Sequence, residues 1–275
     1  MQSAPVPVHH RGALGHDGFL PGDPEDDVLP EPTNVRRLLW MPGPQDPGER
    51  KQGTMNKKTD ITFVIDKSGS MKRIAEAMNS GFDELIDKQQ KEPGECCVTL
   101  AEFSDSCTIL YTARALAEVN HYRLDPGGNT ALLDALAQNI QATGKRLAAM
   151  PNDERPEHVL FVIITDGQEN ASREFVGEPG RRAVHEMITH QREKYAWEFL
   201  FLGANQDAIA AAAQLGISVH NAVTYTADKL GTHSLNSGLS AGISRLRSGN
   251  ATRGAVYGQQ DYNAQEAEDR LNKPA

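Results

Sequence analysis

Two stretches of this chain are apolar almost without interruption, Ile61-Thr62-Phe63-Val64-Ile65 and Val159-Leu160-Phe161-Val162-Ile163-Ile164-Thr165. Runs of this length, rich in β-branched residues, suit strands covered on both faces of a parallel sheet. Each is closed by a carboxylate, Asp66 and Asp166. Other stretches follow the helical period instead. Ile74, Met78, Phe82, Leu85 and Ile86 form one apolar face and predict a helix over 71–91, stopped by Glu92-Pro93-Gly94. Leu133, Leu136, Ile140 and Leu147 line a second helix, and Val184, Met187 and Ile188 a third over 179–194. An alanine-rich helix ends at Leu215-Gly216, and 235–246 forms a last one. Further strands are expected over 98–103, 108–112, 198–202 and 217–223. The short turn 104–107 makes the first two of these a hairpin, so one edge strand is antiparallel. The alternation predicts an α/β fold: a doubly wound, Rossmann-like, mostly parallel sheet with one antiparallel edge strand and helices on both faces.

The pattern fails at both ends. Residues 1–54 hold nine of the fifteen prolines, interleaved with acids such as Asp23, Glu25, Asp26, Asp27 and Glu31. That composition buries too little surface to offset the entropy of ordering, so the segment reads as disordered apart from a short turn over 35–40. The folded domain spans 55–249, and 250–275 reads as a polar tail. Met55 stands just before the first strand. The preceding Gly48-Glu49-Arg50-Lys51-Gln52-Gly53 can be encoded by a purine-rich stretch like a bacterial ribosome-binding site. The expectation is that translation starts at Met55; recovery of peptides from 2–54 in the native protein overturns it.

Charge and composition narrow the function. A formal net charge of −9 lacks the basic stripe of a general nucleic-acid binder. No apolar run approaches the roughly 20 residues that span a membrane, and no signal peptide is evident. Three cysteines, Cys96, Cys97 and Cys107, fit plain thiols in a reducing compartment, hence a cytoplasmic protein.

The chemistry gathers after the first apolar run, in Asp66-Lys67-Ser68-Gly69-Ser70. Side chains two apart in extended chain point the same way, so the Asp66 carboxylate and the Ser68 and Ser70 hydroxyls can converge. Open α/β sheets bind ligands at this end of their strands. Oxygens converging from a loop tip suit a hard cation. Thr130, after Asp125-Pro126-Gly127-Gly128-Asn129, has two readings from local sequence: a ligand, or with Asn129 merely the cap of the helix that follows. Asp166-Gly167 likewise reads as a strand-end ligand or a simple turn.

Asp66-Lys67-Ser68-Gly69-Ser70, Thr130 and Asp166, in that order in three segments, resemble the von Willebrand factor type A (VWFA) domain and its metal-ion-dependent adhesion site (MIDAS). The resemblance covers about 58–225, reaching 248 at most. It implies that Asp66, Ser68, Ser70, Thr130 and Asp166 are metal ligands for Mg2+, with Mn2+ or Ca2+ as alternatives. It further implies that an Asp or Glu carboxylate of a protein partner completes the shell. Glu169 and Asn170 are expected at the rim or in the outer shell.

Enzyme readings lack their parts. No Gly-x-x-x-x-Gly-Lys-[Ser/Thr] loop is present, and no general base is placed by motif. Asp66-Lys67-Ser68 lacks the second aspartate that haloacid-dehalogenase-type phosphatases carry. His185 and His190 tempt a zinc-protease reading, but five residues are about 140° of helix, so they cannot share a metal. The expected function is a non-enzymatic, metal-dependent protein-binding adaptor. The alternatives are a structural or accessory component of bacterial or phage origin whose metal site is not essential, and behind it a metal-dependent phosphoesterase.

Overall fold

The computed structural model describes residues 58–204, 208–251, 254–257 and 261. The expectations for 1–54, for the start at Met55, and for most of 250–275 lie outside the described residues. Among the described residues six strands form one sheet: β1 (Thr59–Asp66), β2 (Cys96–Phe103), β3 (Cys107–Ala115), β4 (His158–Thr165), β5 (Glu198–Ala204) and β6 (Ala222–Tyr225), in the order β3-β2-β1-β4-β5-β6. All pairs are parallel except β2 with β3, the expected antiparallel edge. Strand order reverses between β1 and β4, and this is where an open sheet leaves a crevice at its C-terminal end.

Among the described residues five α-helices cover the sheet: α1 (Ala75–Gln90), α2 (Leu132–Ala148), α3 (Gly177–Tyr195), α4 (Ala208–Gln214) and α5 (Lys229–Arg247). Strand alternation divides the core in two. Ile61, Phe63 and Ile65 of β1 with Leu160, Val162 and Ile164 of β4 pack under α1 and α5. Val64, Phe161 and Ile163 face α2, α3 and α4 on the other side. Phe82 of α1 meets Phe63 edge-on, with ring centroids 5.2 Å apart. Truncating such a buried ring costs about 3–5 kcal/mol.

Several boundaries differ from the sequence reading, each for a local reason. The chain after Ser68 makes a 3-10 turn, Gly69–Arg73, before α1 begins, which brings Ser70 back toward Ser68. The apolar run 217–223 is not a strand throughout. The Ser218 side chain accepts from the His220 N–H, a 3-10 turn holds Val219–Asn221, and pairing starts only at Ala222. Helix α5 begins six residues before 235, because the Asp228 carboxylate caps it by accepting from the Gly231 N–H at 2.7 Å. Past Gly249 the polar-tail expectation is corrected where the chain is described: Val256 and Tyr257 are fully buried against the α1/α5 side of the core.

The N-terminal end of the sheet is closed by charge. Asp60, 1% exposed, receives both Arg146 guanidinium nitrogens, at 2.7 and 3.0 Å, and the Cys97 thiol at 3.2 Å. Burial pushes the neighbouring Cys96 thiol up to about 11, against the pull of Arg247. The three cysteines are free thiols but half-buried rather than fully so.

Candidate metal centre

Asp66 ends β1 with no solvent exposure. The Ser68 N–H donates to its Oδ1 at 2.6 Å, and the Thr165 hydroxyl donates to its Oδ2 at 2.6 Å. Burial pushes this carboxyl above its usual range. The Thr165 and Ser68 hydrogen bonds pull it back, and the charge of Asp166 adds to the rise. The Ser68 and Ser70 hydroxyls lie 3.0 Å apart, and Ser70 donates to Asp166 Oδ1 at 2.5 Å. One chain of contacts therefore links Asp66, Ser68, Ser70 and Asp166 across two loops.

Thr130 joins the cluster at Gly167. A Cβ at Gly167 would stand 2.9 Å from Thr130 Oγ1 and 3.6 Å from Asp66 Oδ2, so glycine keeps that space open between them. The capping reading of Thr130 does not hold. Helix α2 starts at Leu132, its cap residue is Ala131, and no side chain of its own caps it. Asn129 instead donates to Asp105 Oδ1 at 2.7 Å. The carboxylate at the head of α2 comes from another loop: Glu169 accepts from the Leu133 N–H at 2.9 Å, where the helix dipole favours negative charge.

Glu169 also accepts from the Ala171 and Ser172 N–H groups and the Ser172 hydroxyl, which stiffens the loop after Asp166. Asn170 Oδ1 accepts from the Thr130 N–H at 2.9 Å, while the Thr130 carbonyl accepts from the Asn170 and Ala171 N–H groups. Gly69 N–H to Gly128 carbonyl at 3.0 Å and Gly127 N–H to Lys67 carbonyl at 2.7 Å fasten the first loop to the second. All five side chains expected from sequence are thus brought together, on three loops that hold one another by their backbones.

Two buried polar atoms here lack a hydrogen-bond partner among the described residues: Asp166 Oδ2 and the Tyr225 hydroxyl. Burial, then the charges of Asp166 and Asp66, push the Tyr225 phenol far up. Arg73 Nη2 lies 3.8 Å from Asp166 Oδ2. Buried polar atoms left without partners are costly, and an oxygen in that state is ready to take a cation. Two carboxylates and three hydroxyls form an all-oxygen set, the kind Mg2+, Mn2+ and Ca2+ prefer. The residues present fit such an ion.

Sequence reasoning missed Thr165, Tyr225 and Arg73. Only Thr165 had a usable signal, as the last residue of the apolar run before Asp166; in the structure the register Ile65↔Ile164 sets it abreast of Asp66. His185 and His190 have separate neighbours, the Gln214 carbonyl at 3.2 Å and the Tyr195 ring at 5.5 Å between centroids.

The fold and this loop cluster define the class, and sequence comparison agrees. The chain belongs to the von Willebrand factor type A domain family, whose model matches residues 60–237. The family consists of protein-interaction and adhesion modules, some of which carry MIDAS metal sites. No curated protein matches the chain. Among solved structures it is similar to the ArnB paralog VWA2 from Sulfolobus acidocaldarius, with 18% identity, a TM-score of 0.43, and coverage of 66% of this chain and 44% of that one. It is similar to proximal thread matrix protein 1 from the mussel byssus with a zinc-occupied MIDAS motif, at 18% identity, TM-score 0.44, and coverage of 69% and 45%. A von Willebrand factor type A protein from Catenulispora acidiphila gives 14% identity, TM-score 0.43, and coverage of 68% and 43%. The chain spans less than half the length of these structures, and the likeness concerns the fold alone. No described helix is long and apolar enough to cross a membrane.

Proposed function

We propose that this domain binds a protein partner through a divalent cation, Mg2+ in the first place, held by Asp66, Ser68, Ser70, Thr130 and Asp166. The observation that carries the reading is the short path Asp66–Ser68–Ser70–Asp166, with the Thr130 hydroxyl closing it across Gly167. Asp66 and Asp166 balance a divalent charge, and the hydroxyls add neutral oxygens. A bound ion supplies Lewis acidity toward an external oxygen. The residues around it do the rest: Thr165 and the Ser68 N–H orient Asp66, and the Glu169 and Asn170 contacts hold Thr130 beside Asp166. Ser70 is the exposed member of the set, so an Asp or Glu of the partner approaches over it.

The module is an adaptor and not an enzyme on this reading, and it works in the cytoplasm, where its free thiols stay reduced. Affinity capture from native host extract, with and without EDTA and with Ser68→Ala as control, tests it. A protein retained by wild type with Mg2+, and lost with EDTA and with Ser68→Ala, supports the reading. The same proteins retained in all three conditions overturn it and favour a structural component.

A further inference from the structure

We propose that Arg73 is a resident counter-cation for Asp166 that a divalent ion must displace, so that it sets the concentration at which the site fills. The inference rests on the metal reading above. Asp166 is gripped at both carboxylate oxygens by one 3-10 turn, Gly69–Arg73. Ser70 donates to Oδ1 at 2.5 Å, and the Arg73 guanidinium stands 3.8 Å from Oδ2. The two partners differ in kind. The Asp166 side chain has no exposure, whereas that of Arg73 is 62% exposed. Oδ2 has no hydrogen bond among the described residues, so the guanidinium is close enough to neutralise its charge without occupying its lone pairs. Of the other cations of this loop, Lys67 is held 2.7 Å from Glu102, and Lys72 is exposed on the same turn.

Two cations that share one carboxylate oxygen repel each other. A long side chain anchored only by an exposed ion pair leaves at little cost. The arrangement therefore keeps Asp166 compensated when no ion is bound and raises the ion concentration needed to load the site. It also makes loading sensitive to ionic strength, because the opposing charge lies in solvent.

Calorimetric titration of the full chain with Mn2+ at low salt tests this with wild type, Arg73→Gln, Arg73→Lys and Asp166→Ala. The expected result is that Arg73→Gln binds Mn2+ about two- to fivefold tighter than wild type, with Arg73→Lys between them. The gain should vanish at about 1 M salt, where the screening length falls to about 3 Å. Melting curves add a readout of opposite sign. In EDTA, Arg73→Gln melts below wild type because Asp166 has lost its counter-charge, and saturating Mn2+ removes the difference. Equal or weaker Mn2+ affinity in a folded Arg73→Gln, with binding abolished by Asp166→Ala, overturns the role of Arg73 and leaves the metal site standing. Undiminished Mn2+ binding by Asp166→Ala overturns both.

Discussion

Strand β1 carries a buried aspartate at each end, and the two are treated in opposite ways. Asp60, 1% exposed, is gripped by both arms of Arg146 and by a thiol. Asp66, fully enclosed, is met among the described residues by neutral donors: the Thr165 hydroxyl and the Ser68 hydroxyl and N–H. The first carboxylate is neutralised by the fold itself. The second is oriented but left with its charge, beside another carboxylate whose Oδ2 has no hydrogen bond among the described residues. A buried acid hydrogen-bonded by two nitrogens of one guanidinium is a structural tie, while one held by neutral donors, with at most a loose and exposed arginine nearby, is a place built for a cation. Burial says nothing about function until the partners are named.

The contrast can be broken most forcefully at its closed end. Arg146→Ala leaves Asp60 buried and uncompensated, and urea denaturation should show a loss of about 3–5 kcal/mol. At the open end, Asp66→Asn should do something a structural tie could not: stabilise the metal-free protein. The Asp66 carboxyl sits above its usual range in the fold, so the native state holds that proton more tightly than the unfolded chain. Its contribution is fully present below the ordinary value of 3.8 and is lost as pH rises through the raised folded value. In EDTA at pH 7 the Asn variant should melt above wild type, and the gap should close toward pH 4. With Mg2+ at a hundred times its Kd the order reverses, because wild type gains about 2.7 kcal/mol that the variant cannot.

A subtler change removes only the donor. Thr165→Val deletes the hydroxyl on Asp66 Oδ2 and should cost about 1–3 kcal/mol in chemical denaturation, with weaker Mg2+ binding as the second reading. The smallest effect is kinetic. With its thiol pushed up from 9.0 to about 11, Cys96 offers roughly a hundredfold less thiolate below neutrality than an ordinary cysteine. Labelling with a maleimide at pH 7 should be slow in the native protein and fast after denaturation.

The part of this contrast legible in the sequence was the open end. Three segments each carried an oxygen-bearing residue beside a turn signal, and two of them followed apolar runs that could hardly be anything but central strands. The closed end was invisible. Asp60 and Arg146 are 86 residues apart, and nothing in either neighbourhood announces the other. The same applies to Glu169, which reads as a rim residue until its carboxylate is seen on the backbone of Leu133 at the head of α2. Boundaries failed where a side chain took over a backbone role, as Ser218 did before β6 and Asp228 before α5. Local periodicity reports faces, and long-range polar partnerships follow only once the sheet order brings distant ends side by side.

Helix α5 has a notch along one side where Gly238 and Gly242 lie. The Tyr257 ring occupies it so closely that a methyl group at Gly238 would come within 2.3 Å of the phenol oxygen, and one at Gly242 within 2.6 Å of the Val256 carbonyl. Shortening the polypeptide after the last helix would therefore uncover a trough that the intact molecule fills with its own following residues. Anyone preparing the domain for crystals or binding assays should carry it past Tyr257, because a version cut just after Arg247, at the end of that helix, is prone to clump through the bared strip.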